Sequence, residues 1–388
     1  LTLKTPNSIF MGTGSRITST SGNLNIVLWS NSNSSNGGRI EIGNGVNLLS
    51  NGGDITLGGG SNLSTGYADG LNVAHGIYIG ASSLTANGGN IVMRGKTEWD
   101  AASQAMALDA TLTTSGNGNI TLNGYASTGT DFTYGVYLRG AAKVQAENGT
   151  INITGEGWGN SSTNRGVVLE NTSQINVTGS GTTNITGKAG SDVGLDLRDT
   201  SKIYNASGQI TIATNKLEIE TTNNRIQGFG DLTITTTGNR IEVTDGVTAG
   251  LQLYPSWFGT VIQNGFASIT LGSDASGSLL ITDDLSVDSP LTLKGIGVSV
   301  GLNSTLTTTN DNLTIIDNGT GDLTTGNTIS LGSGSLIKEG SGTYRLLGGN
   351  LSYSGATEIN AGTLENNDQL PNTSAVSVAS GATLKLYY

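Results

Sequence analysis

A four-residue phrase returns along the middle of the chain at near-equal intervals, and that recurrence limits the folds available. GIYI at 76–79 is followed by AMAL at 105–108, GVYL at 135–138, GVVL at 166–169 and GLDL at 194–197. An interval of roughly 30 residues is that of a solenoid, a propeller or an array, whose units bury an apolar face only against their neighbours. Each unit carries three short strand signals. The first sets Ile77/Ile79, Met106/Leu108, Val136/Leu138, Val167/Leu169 and Leu195/Leu197 on one face, because strand side chains alternate sides. A single apolar residue follows: Leu84, Leu112, Val144, Ile175 or Ile203. The third signal is Ile91/Met93, Ile120/Leu122, Ile151/Ile153, Thr183/Ile185 or Ile210/Ile212, and a polar loop of variable length leads onward. Weaker copies run back through Leu24/Ile26 and Ile55/Leu57, and forward through 230–243, 267–272 and 312–316.

Three strands per period predict an all-β chain, a right-handed parallel β-helix with three-strand rungs. Equivalent positions then stack at about 4.8 Å, so about thirteen rungs would span on the order of 60 Å. Inward positions become aliphatic ladders, and Asn and Gly take the corners, where left-handed backbone angles cost little. A propeller blade needs four antiparallel strands, which these units lack. The 60 glycines among many Ser, Thr and Asn could suggest disorder, but disorder does not place β-branched residues in register. The chain begins and ends within the pattern, so it reads as a segment of something larger.

The net charge of −11 argues against a nucleic-acid partner, which needs a basic stripe to release counterions. The chain has no cysteine, which removes disulfides and thiolate metal sites and suits a chain that must cross an outer membrane unfolded. No apolar run is long enough to span a bilayer as a helix.

Two stretches carry family resemblances. Over residues 1–330, ITSTSGNLNIVL (17–28), LLSNGGDITLGG (48–59) and LTTSGNGNITLNG (112–124) resemble the repeats of filamentous-haemagglutinin-type exoproteins. Within 331–388, the run 335–365 resembles the passenger-associated β-strand repeat of autotransporters. Lys338, Gly340, Gly342 and Thr343 fill its first element. Tyr353, Gly355, Thr357, Ile359, Gly362, Thr363 and Leu364 fill its second, and 374–386 looks like the strand that follows. Both resemblances imply type V secretion, by two-partner secretion or as an autotransporter, with an outer-membrane barrel translocator as partner. They also imply an extracellular or bacterial cell-surface location.

Parallel β-helices also host polysaccharide lyases and hydrolases, which would need converging carboxylates. The candidates are Asp192, Asp196 and Asp199 around Arg198, and the group Asp283, Asp284 and Asp288. Aspartates in turns and on a solvated face account for both groups. His75, the one histidine, precedes a corner and has no partner ligand in the sequence. No enzyme activity, cofactor or metal is expected. Asn119, Asn152, Asn184 and Asn312 head Asn-x-Ser/Thr tripeptides, which composition alone can explain.

The loops between third and first strands hold a local excess of aromatic residues. Loop 58–76 contains Tyr67, 95–105 contains Trp99, 124–135 contains Phe132, and 155–166 contains Trp158; Tyr78 and Tyr137 begin the adjoining face. Exposed rings in a row can stack on sugars, whereas rings folded over the loops would shield the edge. The expected function is a rigid stalk or adhesive segment of a secreted surface adhesin, serving attachment or biofilm formation. Its partners would be surface glycans or matrix polysaccharide. The alternative is a polysaccharide-active enzyme.

Overall fold

The computed structural model describes residues 1–35, 37–71, 73–98, 102–127, 132–159, 163–190, 192–220, 225–301, 303–367, 370–371 and 375–387. They form two compact units, Leu1–Gln227 and Gly228–Tyr388, each a stack of parallel strands in a right-handed β-helix.

Three faces enclose the core of the first unit. A tyrosine face runs from Ile9–Met11 through His75–Ile79, Gln104–Leu108, Tyr134–Leu138, Arg165–Leu169 and Val193–Leu197 to Leu217–Ile219. An amide face stacks Arg16–Thr18, Asn47–Leu49, Ser83–Thr85, Thr111–Thr113, Lys143–Ala146, Gln174–Val177 and Lys202–Asn205. A long face carries Ile26–Ser30, Ile55–Gly59, Ile91–Thr97, Ile120–Ala126, Ile151–Gly157, Thr183–Lys188 and Ile210–Thr214.

Register follows the repeat. Ile77, Met106, Val136, Val167 and Leu195 are successive Cα partners, as are Ile79, Leu108, Leu138, Leu169 and Leu197, and all ten are fully buried. Leu84, Leu112, Val144, Ile175 and Ile203 form the matching ladder of the amide face, also fully buried. Each such side chain removed from water stabilises the stack by about 2 kcal/mol. The strand signal at Leu24/Ile26 is shifted by one step: the strand is Ile26–Ser30, with Ile26 and Leu28 inward and Leu24 half-buried before it.

At one corner each rung holds the next through an acidic or amide side chain. The Asp54 N–H donates to Asn25 Oδ1 (2.9 Å), Asn90 to Asp54 (2.7 Å), Asn119 to Asn90 (3.0 Å) and Thr150 to Asn119 (2.7 Å). Asn51, Asn87 and Asn171 adopt positive φ at corners, where Asn is tolerated better than most residues.

In the second unit the long face runs from Asp231–Thr236 through Ser268–Gly272, Leu291–Gly295, Leu313–Asp317, Leu336–Glu339 and Thr357–Ile359 to Val376–Val378. From Asn310 onward, inter-rung contacts such as Ser333 to Asn310 and Ser354 to Gly332 join residues 23 and 22 apart, against 29 and 32 for Asn119 to Asn90 and Thr182 to Thr150 in the first unit, because the loops there are shorter. One insertion departs from the pattern. The 3-10 helix Pro255–Trp257 and the turn after it bury Trp257, Phe258, Val261, Ile262 and Phe266, with Tyr254 edge-on to Trp257.

Val136→Asp places an unpaired carboxylate between Met106 and Val167 and should cost at least about 3 kcal/mol. Urea unfolding checks this, and a midpoint equal to wild type would contradict the assigned register.

Candidate functional site

The outward side of the tyrosine face departs from expectation. Alternation does turn Tyr78, Ala107, Tyr137, Val168 and Asp196 away from the core, in one column. Yet Ala107, Val168 and Asp196 are buried and the two tyrosines half-buried. Long side chains of the neighbouring columns fold over them.

Arg139 does most of this on the early rungs. Its guanidinium forks onto Asp109 (2.8 and 3.1 Å) and lies over the rings of Tyr78 (5.4 Å) and Tyr137 (5.8 Å). Tyr137 packs edge-on to Tyr134 at 5.2 Å, which meets Phe132 at 6.5 Å, and its hydroxyl donates to Glu170. Burial, then the Glu170 carboxylate, push the Tyr137 phenol well above its usual range. His75 stacks on Tyr78 at 5.4 Å, and burial lowers its pKa below 6.5.

Arginines also claim the acidic residues on the later rungs. Asp196 is 4% exposed and bonded to Arg165 (3.0 Å) and Arg198 (2.8 Å), while Arg165 also holds Asp192 (2.9 Å). The expectation that Asp192 and Asp196 are solvated and dispersed is therefore corrected: Arg165 reaches from the preceding rung and gathers both. Asp199 is exposed and accepts the Asn171 N–H (2.8 Å). Asp283 accepts from Thr244 Oγ1 and the Asp245 N–H, and Asp284 from the Thr305 N–H, so these two work as corner caps. Among the described residues no group of three or more His, Asp or Glu could hold a metal ion.

The ion pairs follow a rule that the sequence reading missed. The residue after the last aliphatic of successive rungs is Asp109, Arg139, Glu170, Arg198 and then Glu220, so the sign alternates up the stack. Asp109–Arg139 and Glu170–Arg198 (3.2 Å) are salt bridges. The second unit repeats the device in the column Asp322, Arg345, Glu365 and Lys385, where Arg345 pairs with Asp322 and Lys385 with Glu365 (2.8 Å). Comparing the residue that follows each recurrent phrase would have found it.

The structure links Tyr78, Tyr137 and Phe132 through Arg139 and Tyr134. Phe132 is 51% exposed and has positive φ. Trp158 is 39% exposed and stands in a separate group: its Nε1 donates to Glu156 (3.1 Å), which pairs with Lys188. Tyr67 is half-buried on an earlier loop. Trp99 lies outside the described residues. All four tripeptide asparagines are tied into the stack: Asn119 Oδ1 accepts the Thr150 N–H (2.7 Å), Asn184 Nδ2 donates to Asn152 Oδ1 (2.9 Å), and Asn312 Oδ1 accepts the Ser335 N–H (2.9 Å).

In the second unit, Lys338 takes an inward position between Ile315 and Ile359, 1% exposed. Its amine donates to the carbonyl oxygens of Glu339, Gly340 (3.1 Å) and Ala361 (3.5 Å), and burial lowers its pKa. Nearby Asp317 is fully buried, accepts the N–H groups of Val298 and Gly319, and is pushed up by burial. Gly340 has φ +77°, and a Cβ on Gly342 would lie 2.1 Å from the Gly319 carbonyl oxygen. Tyr353 shares a hydrogen bond with Thr357 (2.8 Å), and both are buried, as are Ile359 and Leu364. These residues are thus the corner and core positions of one rung and its successor.

A parallel β-helix with such a rung defines the class, and comparison with known families adds one match. A family model described as the passenger-associated-transport-repeat covers residues 336–365. This supports an autotransporter passenger repeat in that segment and, with it, secretion to the cell surface or extracellular space. No curated protein matches the chain. No helix among the described residues is long and apolar enough to cross a membrane.

Replacing Arg139 tests the charge column. Arg139→Gln should lower stability by about 1 kcal/mol. Arg139→Glu, which sets like charges beside Asp109 and Glu170, should cost more at low salt, with the excess fading at high salt. Equal urea midpoints for the two variants at low salt would contradict the role given to sign alternation.

Proposed function

We propose that this chain is a rigid segment of a surface-attached or secreted passenger that presents its loops for attachment to glycans on host or neighbouring cells, or to matrix polysaccharide. The observation that carries this reading is the pairing of stacked, fully buried ladders with exposed rings at Phe132 and Trp158 on the connecting loops. Loops on a rigid scaffold vary without disturbing the core, and aromatic faces suit sugars. An outer-membrane barrel would serve as translocator. The passenger repeat favours the autotransporter branch; the haemagglutinin-like phrases of 1–330 are the argument for two-partner export. The polysaccharide-active alternative has less support, since Asp192 and Asp196 are bound by arginine and Asp283 and Asp284 cap corners.

The purified chain on beads should adhere to glycan-bearing cells. Phe132→Ala with Trp158→Ala should reduce adhesion several-fold and leave the thermal melt nearly unchanged. Unaltered adhesion with a lowered melting temperature would contradict the proposal and make the rings a shield over the edge.

A further inference from the structure

We infer that the amide face of the first unit binds an acidic polysaccharide laid along the stacking direction, with Lys143 and Lys202 each pairing with one carboxylate. The inference rests on the attachment role proposed above, but it names another surface and a ligand class.

The outward positions of this face form two columns. One reads Arg16, Asn47, Ser83, Thr111, Lys143, Gln174 and Lys202; the other reads Thr18, Leu49, Thr85, Thr113, Gln145, Asn176 and Tyr204. Neither holds a carboxylate, although the chain has 29 Asp and Glu residues and a net charge of −11. On the tyrosine face Arg39, Arg139, Arg165 and Arg198 all join salt bridges. Among the described residues Lys143 and Lys202 join none. The nearest acidic residue along the chain after that strand, Glu147, sits at the following corner, where its carboxylate accepts the Gly116 N–H (2.7 Å). The face therefore keeps two ammonium groups free in a protein that pairs most of its cations.

The surroundings of Lys202 suit a sugar chain, and Lys143 follows one rung beyond the Gln174 edge of the same groove. A groove of about 400 Å³ is lined by Gln174, Asn176, Thr178, Lys202, Tyr204 and Gln227. Amide side chains both donate and accept, as sugar hydroxyls do. Asn176 Nδ2 donates to Gln145 Oε1 (3.1 Å), so the amides of this column hold one another in place along the stack. The half-buried Tyr204 ring offers an apolar surface for a pyranose face.

Spacing selects the polymer. Lys143 and Lys202 are separated by the single rung of Gln174, hence by about 10 Å along the stack. That is close to the length of one disaccharide in an extended chain, so a polysaccharide with a uronate at every second sugar would stay in register with both amines. A densely sulfated chain would call for more cations and for the bidentate fork of arginine. A nucleic acid would need many more cations to release its counterions.

Hyaluronan oligomers, which carry one carboxylate per disaccharide, are the probe, titrated against the intact chain by calorimetry at low and physiological salt. Wild type should bind them, more weakly as salt rises. Lys143→Gln with Lys202→Gln should weaken binding at least tenfold without moving the thermal melt. Lys216→Gln, which removes a lysine paired with Glu218 away from this face, should change nothing. Absence of binding, equal binding to carboxyl-reduced hyaluronan or a thymidine oligonucleotide, or unchanged affinity in the double variant would each overturn the inference. Cell adhesion lost in Phe132→Ala with Trp158→Ala but kept in the lysine variant would sink this inference and leave the attachment role standing.

Discussion

In-register stacking of parallel strands at about 4.8 Å is the constraint on which the rest of this structure depends. It sets each residue directly against its counterpart in the next rung, so every side chain meets what the repeat places there. For aliphatic residues that repetition is favourable, as in the column Ile77, Met106, Val136, Val167 and Leu195. For charges it is not: two like charges about 5 Å apart at a protein surface repel by roughly 3 kcal/mol at an effective dielectric of 20. Asp109, Arg139, Glu170 and Arg198 avoid this by alternating, and Asp322, Arg345, Glu365 and Lys385 do the same in the second unit. Asparagine profits from the same stacking, because one amide oxygen reaches the next rung's N–H.

The faces of the first unit handle their outer surfaces differently. On the tyrosine face, arginines reach across rungs and lock rings and carboxylates beneath them, which leaves Asp196 buried though it points away from the core. On the amide face, short polar residues dominate, and Lys143 and Lys202 extend without a carboxylate in their columns. The arginines of the first surface are paired within it, whereas among the described residues Lys143 and Lys202 on the second join no ion pair. The loops that carry Phe132 and Trp158 are a third kind of surface, free to vary because they lie outside the stack.

The core was legible in the sequence because two periods coincide there, alternation along a strand and recurrence between rungs. The outward side was less so. Nothing local to Asp196 reveals its burial, since Arg165 lies on the preceding rung and the contact exists only once the register is set. Lys338 looks like a surface residue in the passenger repeat, yet it fills an inward position between Ile315 and Ile359, because its long stem spans the core and its amine reaches the corner carbonyls. The aromatic loop row was readable as an enrichment; its division into a Phe132–Tyr134–Tyr137 cluster and a separate Trp158 group was not, because loop conformation depends on which neighbours each ring meets. The insertion around Trp257 carried no repeat signal, and its buried rings are packed by contacts that the period does not encode.

The central claim, one rung per repeat with fixed register, can be measured directly because the chain has no cysteine to interfere with site-directed labelling. Thr18, Thr85, Gln145 and Tyr204 occupy one column of the amide face, each two rungs beyond the last. Nitroxides paired at Thr18 with each of the other three, measured by double electron–electron resonance, should give separations that grow by about 10 Å per step. Separations that level off, shrink or grow unevenly along this series would contradict a stacked parallel β-helix and the functional readings built on it.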